Sequence, residues 1–100
     1  MFCFKLWKVR GQSMTPVIHE GSFILVTKLL LLFPVKEGQR ILIKHPEYGI
    51  IVKTVALVDK NGFIWSKGEN KKSLSVEQIG PVDKEQVLGR IIGIFEPTSV

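Results

Sequence analysis

The chain has 100 residues, of which 45% are apolar, and it carries a formal net charge of +5 at pH 7. This length and composition predict one folded domain over residues 1–100 and exclude a disordered segment. The basic residues are scattered along the chain and form no stripe with interleaved aromatic residues. We therefore expect no nucleic-acid partner.

Residues that could bind a metal are few and far apart in the sequence. Cys3 is the only cysteine, so an internal disulfide is excluded and no zinc-binding pattern is present. His19 and His45 each stand alone, as is typical of surface or turn histidines. We expect neither a metal nor a cofactor.

No segment has the length of a transmembrane helix. The longest uncharged apolar run covers residues 29–33, whereas a spanning helix needs roughly 20 residues. The start of the chain is apolar but is interrupted by Lys5 and Lys8. This pattern favours a first β-strand and leaves peripheral membrane contact as an alternative. We expect a cytoplasmic location.

Short apolar runs, separated by glycine, proline and asparagine, dominate the sequence and predict β-strands. The predicted strands cover residues 2–9, 23–30, 40–44, 50–58, 63–67 and 86–96. Gly89 and Gly93 mark bends or bulges in the last of them. Residues 68–80 are predicted to form a polar loop, and Asn61-Gly62 predicts a hairpin turn with positive φ at both residues. The fold class is all-β, a coiled and partly closed antiparallel sheet.

Residues 10–26 contain the one loop that suggests nucleophilic chemistry. Ser13 follows Gly11, which permits positive φ or a close backbone approach, and precedes Pro16, which fixes φ. A hydroxyl held on such a loop is a candidate nucleophile, but serine needs a base to take its proton. The rest of the chain must supply that base.

Lys53 is the candidate base, because it interrupts the most apolar strand in the sequence. Residues 50–58 are apolar on both faces around it, which predicts burial on both sides. Burial disfavours the ammonium form and lowers the pKa of a lysine, so that the neutral amine can act as a general base near pH 7. The alternative is a lysine whose stem is packed while its amine binds a carboxylate or water.

Three segments, in order, resemble the sequence boxes of type I signal peptidases. Residues 11–26 resemble the serine box, Gly-x-Ser-Met-x-Pro followed by a hydrophobic strand, and residues 52–58 resemble the lysine box. Residues 68–93 resemble the last box, with its Gly-x-Asn, its serine and its Gly-Arg strand. The resemblance implies an all-β domain of the signal peptidase and SOS-repressor peptidase type. It also implies a serine endopeptidase with Ser13 as nucleophile and Lys53 as base.

Within this group the chain is most similar to the nickel-type superoxide dismutase maturation proteases. Those proteins lack transmembrane anchors and carry a His-Pro connection before the lysine strand, here His45-Pro46. Their sequence after the last box is matched by Gly80-Pro81-Val82. The resemblance implies removal of an N-terminal propeptide from a precursor protein, the nickel superoxide dismutase proenzyme. The nickel would belong to the substrate, so no metal or cofactor is implied for the protease.

The resemblance also assigns supporting roles around the two catalytic residues. Ser73 corresponds to the serine that orients the lysine amine, and Met14 corresponds to a residue that shapes the substrate pocket. The positions with a structural counterpart in the family loops are Gly11, Pro16, Gly68 and Asn70. The oxyanion hole would use the Ser13 backbone N–H, since Gly11 offers no side-chain donor.

Several positions differ from the family pattern. Val17-Ile18 replaces Thr-Leu, and Ser22 and Glu69 each replace an aspartate. Ser75-Val76-Glu77 replaces Asp-Ser-Arg, and the loop after Asn70 is one residue shorter than in many relatives. We therefore expect the charged network that braces this loop in relatives to be missing.

Three other functions remain open from the sequence. A signal peptidase that cleaves exported preproteins at a membrane would use the same residues. A self-cleaving domain of SOS-type repressors would share Ser13 and Lys53, but its DNA-binding domain and scissile loop do not fit before Ser13. A non-catalytic basic β-domain that binds a partner protein would need neither residue.

Overall fold

The structure, a computed structural model, describes residues 3–11, 14–15, 17–70 and 73–96. Within these ranges six strands form one open sheet. The strands are β1 (Phe4–Lys8), β2 (Phe23–Thr27), β3 (Arg40–His45), β4 (Gly49–Val58), β5 (Ile64–Lys67) and β6 (Val87–Phe95). Their order across the sheet is β1-β2-β6-β3-β4-β5, and all neighbours are antiparallel. The prediction of an all-β antiparallel fold is confirmed.

Helical structure in the described residues is limited to three short elements. These are helix α1 (Val76–Ile79) and two 3-10 turns (Leu29–Leu32 and Lys84–Gln86). In this part of the chain no helix has the length and apolarity needed to cross a membrane.

Apolar side chains form a buried cluster on each face of the sheet, because both faces of its centre are covered. The first cluster contains Val9, Met14, Ile18, Ile24, Val26, Leu42 and Val52. The second contains Ile41, Ile43, Val55, Ile64, Ile79, Val82 and Val87. Alternate residues of β3 and β4 contribute to opposite clusters, as the two-residue period of a strand requires. The burial of the middle of β4 that the sequence predicts is therefore confirmed.

Two register shifts in the pairing of β6 lie next to the predicted glycines. One is beside Gly89, in the pairing with β3, and the other is beside Gly93, in the pairing with β2. A Cβ atom on Gly89 would collide with the Val26 side chain and approach the Thr27 carbonyl. Only glycine therefore permits this close approach of β6 to β2.

The prediction of a strand over residues 23–30 is wrong at its end, because β2 stops at Thr27. The Thr27 hydroxyl donates to the Cys3 carbonyl at 2.8 Å and accepts the Leu29 N–H at 3.1 Å. These bonds turn the chain into the 3-10 turn over Leu29–Leu32. A short apolar run cannot by itself distinguish a strand from such a turn.

The hairpin turn between β4 and β5 also differs from its prediction. Gly62 has a φ of +87°, but no residue other than glycine has positive φ in the described chain, so Asn61 does not. The Asp59 carboxylate accepts the backbone N–H groups of Asn61 and Phe63 and the indole N–H of Trp65. These donors, Trp65 first, hold the pKa of Asp59 below its usual range. Side-chain hydrogen bonds therefore shape this turn.

The predicted polar loop over residues 68–80 ends in helix α1. The Ser75 hydroxyl accepts the Gln78 N–H at 3.1 Å, and the Gln78 side-chain oxygen accepts the Ser75 N–H at 2.8 Å. This reciprocal pair is a capping box, which satisfies donors that a helix start leaves free. The Ser-x-x-Gln spacing was a sequence signal for this helix.

Candidate active site

The loop that carries the predicted nucleophile is held at both ends, although Ser13 and Pro16 lie outside the described residues. Gly11 has a φ of +83°, and its N–H donates to the Glu20 carboxylate at 3.0 Å. On the other side, the Met14 carbonyl accepts the Ile18 N–H at 2.8 Å. The Met14 side chain is 1% exposed. Because Met14 is anchored in the core, the chain directly after Ser13 has a defined position.

Lys53 lies in the middle of β4 and is 2% exposed. It faces the second apolar cluster, with Ile41 directly opposite on β3 and Val55 two residues further along β4. Burial lowers the pKa of Lys53 from its ordinary value, because the ammonium form loses its hydration. Among the described residues the close contact between a basic nitrogen and a carboxylate joins His19 to Glu96, so no described carboxylate pairs with Lys53.

The loop after β5 connects the segments that carry Ser13 and Lys53. The Asn70 side-chain amide donates to the Thr15 hydroxyl at 2.6 Å, two residues beyond Ser13. The Thr54 hydroxyl, next to Lys53, donates to the Glu69 carboxylate at 2.6 Å. Consecutive residues of one loop therefore bind the segments that carry both predicted catalytic residues. Hydrogen bonds brace this loop where charged pairs are expected in relatives.

Ser73, the predicted orienting residue, follows the same loop. Its hydroxyl donates to the Asn70 carbonyl at 2.5 Å, and its N–H donates to the same oxygen at 3.0 Å. Both donors of Ser73 are therefore engaged with the backbone at Asn70. A role of Ser73 toward Lys53 stays a prediction.

A cleft of about 340 Å³ opens between the end of β1 and the start of β4. Its walls are formed by Trp7, Lys8, Val9, Arg10, Met14, Ile50, Ile51 and Val52. Met14 is the neighbour of Ser13 in the sequence, and Val52 is the neighbour of Lys53. β1 and β4 are not neighbours in the sheet, but the sheet is coiled so that both strands line this cleft.

The backbone edges beside the cleft are not fully paired. β1 is the first strand of the sheet and pairs only with β2. β5 pairs with β4 only from Thr54 onward, so Ile50–Val52 have no ladder partner from β5. An extended peptide can add to such strand edges through main-chain hydrogen bonds. The cleft is therefore suited to a peptide in an extended conformation.

His45 holds the hairpin before β4 against α1. It is 9% exposed, and its Nε2 lies 2.9 Å from the Ile79 carbonyl oxygen. Its Nδ1 accepts the N–H groups of Glu47 at 3.0 Å and Tyr48 at 3.2 Å. Nε2 therefore carries the proton and donates to Ile79, since Nδ1 acts as an acceptor. The histidine of the His-Pro connection is thus fully used in positioning these two elements.

Sequence reasoning missed Thr15, Thr54 and Glu69 as parts of the site. Glu69 was noted only because it differs from the family pattern. The sequence around Thr15 and Thr54 does not mark either residue as part of a site. Their partners are up to 55 positions away in the sequence, so only the folded chain identifies them. No group of three or more His, Cys, Asp and Glu side chains capable of holding a metal occurs in the described part of the chain.

An antiparallel sheet that holds a buried lysine in β4 and a peptide-sized cleft between β1 and β4 defines an all-β class of protein suited to binding a peptide. The sequence profile of the Peptidase S24-like family matches residues 3–92, and the chain belongs to this family. Comparison with curated proteins finds no match. The predicted membership of a signal peptidase-like group of peptidases is confirmed at this level.

Proposed function

We propose that this chain is a serine endopeptidase in which Ser13 is the nucleophile and Lys53 is the general base. One observation carries the proposal, namely that the backbone segments on either side of one cleft are those next to Ser13 and Lys53, with Met14 and Val52 in its walls. Lys53 itself is on the opposite face of β4 from Val52, so its amine would reach Ser13 past the strand edge. The buried environment of Lys53 favours its neutral amine, the form that a base requires. The hydrogen bonds from Asn70 to Thr15 and from Thr54 to Glu69 support the same juxtaposition.

In the proposed reaction Lys53 takes the proton of the Ser13 hydroxyl as the oxygen attacks the scissile carbonyl carbon. The negative charge that develops on the carbonyl oxygen is bound by the Ser13 backbone N–H. The Lys53 ammonium returns the proton to the leaving amine, which breaks the peptide bond and leaves an ester on Ser13. The neutral lysine then takes a proton from water as the water oxygen attacks the ester carbon. The bond from that carbon to Ser13 breaks, which releases the acid, and the Lys53 ammonium returns the proton to the Ser13 oxygen.

The cleft indicates how the substrate is held. An extended peptide would add as a strand between the edge of β1 and the start of β4. The walls at Val9, Met14 and Val52 are apolar, while Lys8 at the end of β1 and Arg10 just beyond it add two positive charges. We therefore expect an apolar side chain of the substrate to pack against these walls.

The substrate we propose is a precursor protein with an N-terminal propeptide, the nickel superoxide dismutase proenzyme. This identity rests on the resemblance of His45-Pro46 and Gly80-Pro81-Val82 to the maturation proteases. The chemistry needs no metal in the protease.

The second candidate is cleavage of exported preproteins at a membrane. Phe4 and Leu6 on β1 are 51% and 59% exposed, and Leu32 is 83% exposed. Exposed apolar side chains near Lys5 and Lys8 are typical of peripheral membrane contact. Flotation with anionic liposomes separates the two candidates, because stable association favours the membrane function and its absence favours a free precursor.

The decisive experiment is co-expression with a candidate precursor, followed by the mass of the precursor's amino terminus. Wild type should release a propeptide, whereas Ser13→Ala and Lys53→Ala should leave the precursor intact while retaining the native circular dichroism spectrum. Lys60→Ala, in the exposed β4–β5 turn, is the matched lysine control and should cleave normally. Full cleavage by either active-site variant would refute the assignment.

A further inference from the structure

Ser66, on β5, has a buried hydroxyl that the proposed reaction does not use. The residue is 0% exposed, and its Oγ has no hydrogen-bond partner within the described residues. Leaving a buried hydroxyl unpaired is costly, since the group loses water without a replacement. Alanine would fill the same position without that cost. We therefore expect the Ser66 hydroxyl to form a hydrogen bond in a state of the protein other than the resting one.

The strand register places Ser66 on the same face of the sheet as Lys53. Ser66 lies directly opposite Val55, and Val55 and Lys53 are two residues apart on β4, so they point to the same side. Diagonal neighbours of this kind have Cα atoms roughly 7–8 Å apart, which long side chains span. The ladder ends at the pair Thr54 and Lys67. The next residue along the chain from β5 is Gly68, which has no side chain to separate the amine from Ser66.

We propose that Ser66 is a positioning residue whose hydroxyl oxygen accepts a hydrogen bond from the Lys53 ammonium formed when the lysine takes the Ser13 proton. The catalytic part of this inference rests on the proposed function. This hydrogen bond forms only when Lys53 is protonated. Hydrogen bonds of a catalytic site often shorten only as the reaction proceeds. Ser66 itself does not line the cleft and does not touch substrate.

Ser66 is better suited to this role than the other groups around the lysine. Ser73 already directs its hydroxyl to the Asn70 carbonyl. Glu69 accepts from Thr54. The remaining charged or titratable groups on β3 and β5 are Arg40, Lys44, Lys67 and His45, whose two ring nitrogens are engaged. Arg90 on β6 lies opposite Ile41 and so shares the face of Lys53, but it is a cation and accepts no hydrogen bond. None of the described carboxylates forms an ion pair with Lys53.

The proposal predicts a specific change in the titration of Lys53. A hydrogen bond to a charged group is about twice as strong as one between neutral groups. Removing the Ser66 hydroxyl therefore destabilises the charged ammonium form of Lys53 more than its neutral amine form. As a result, the pKa of Lys53 falls. We expect Ser66→Ala to move the midpoint downward by about half a pH unit or more.

The test is an NMR titration of the Lys53 side-chain ¹³Cε signal, assigned by its absence in Lys53→Met. Ser66→Ala should lower the midpoint, and Ser66→Thr, which keeps the hydroxyl, should restore it toward the wild-type value. Ser22→Ala is the matched control, because Ser22 is also 0% exposed with an unpaired Oγ in the described structure but lies before β2. An unchanged midpoint in Ser66→Ala, or an equal fall in Ser22→Ala, would overturn the proposal.

Kinetics with the cleavable precursor give the second readout. Ser66→Ala should lower kcat by about threefold, because a weaker base takes the serine proton less readily, while KM stays unchanged. The acid limb of its pH–rate profile should move to lower pH. If the wild type cleaves no precursor, the proposed function fails, whereas the NMR midpoints still decide the role of Ser66. A rise in KM with unchanged kcat would contradict the positioning role.

Discussion

At the scale of single residues, Lys53 has the most unusual environment in the described structure. It is an ionisable side chain, 2% exposed, placed between apolar residues of β3 and β4. Its burial lowers its pKa, so the folded state holds its proton less tightly than the unfolded state does. The same desolvation has two consequences, because it favours the neutral amine that the proposed base requires and it makes the charged form of Lys53 destabilise the fold.

Replacing Lys53 with methionine should stabilise the protein at neutral pH. Between the lowered pKa of the folded state and the ordinary value of about 10.4, the unfolded state of wild type binds the extra proton. The free energy of unfolding of wild type therefore rises with pH across this window. Lys53→Met removes that contribution, because methionine does not titrate.

Urea unfolding of both proteins at several pH values between 6 and roughly 10.4 measures this effect. The difference in stability between Lys53→Met and wild type should be largest at the acidic end and shrink as the pH rises. Lys60→Met, in the exposed turn, should follow wild type at every pH. A difference that does not vary with pH would contradict the linkage.

At the scale of elements, the loop after β5 is the part that completes the site. Asn70 binds the loop that carries the serine, Glu69 binds β4, and Ser75 caps α1 at the end of the loop. His45 then holds α1 against the β3–β4 hairpin through the Ile79 carbonyl. The loop is thus fixed at both ends by polar contacts, and it links the two segments that carry the proposed catalytic residues.

Thr54→Val should loosen this loop. The substitution keeps the shape of a buried side chain but removes the donor to the Glu69 carboxylate, and hydrogen bonds to charged groups contribute about 1.5–3 kcal/mol. We expect a loss of about 2 kcal/mol in the free energy of unfolding, together with a lower kcat. Urea unfolding and precursor cleavage provide the two measurements.

Two glutamate variants serve as comparisons for the stability loss expected in Thr54→Val. Glu69→Gln keeps an acceptor oxygen for Thr54 and should cost less than Thr54→Val. Glu77→Gln, on the exposed side of α1, should leave stability and cleavage near the wild-type values. Equal effects of Thr54→Val and Glu77→Gln would show that the Thr54–Glu69 hydrogen bond does not support the loop.

At the scale of the whole molecule, the coil of the sheet creates the cleft. β1 and β4 are separated by three strands in the sheet order, yet their residues form the walls of one cavity. The register shifts beside Gly89 and Gly93 increase the bend of β6, which lies between β2 and β3. A flat sheet of the same strands would leave the two walls apart.

A charge in the cleft should therefore impair cleavage without unfolding the protein. Ile50 lines the cleft and is 42% exposed, so Ile50→Glu puts a carboxylate at its mouth with little effect on stability. We expect kcat/KM for the precursor to fall by about tenfold or more, which corresponds to about 1.4 kcal/mol of transition-state binding.

Ile92→Glu is the matched control for this prediction. Ile92 is a strand isoleucine that is 45% exposed and does not line the cleft. Its variant should keep kcat/KM near the wild-type value and have a similar thermal midpoint. Equal losses for Ile50→Glu and Ile92→Glu would mean that the cleft is not where the substrate binds.

The amino-acid sequence was sufficient to predict what depends on local pattern. Apolar runs with a two-residue period predicted the strands, and the glycines beside the bends of β6 predicted its irregularities. Lys53 was identified because its strand is apolar on both faces. Such a strand is buried wherever it lies in the sheet, and burial is unfavourable for a charged amine. Errors were confined to places where side-chain hydrogen bonds control the backbone, at Thr27 and Asp59, and to the overlooked cap of α1 at Ser75.

The order of the strands and the contacts of the site were decided only by the tertiary structure. Periodicity determines which face of a strand is buried, but it does not determine which strand pairs with it, because that choice depends on packing of the whole chain. The bond between Asn70 and Thr15 spans 55 positions, and the diagonal between Ser66 and Lys53 depends on the register of β4 and β5. Long-range geometry of this kind has no local sequence signal.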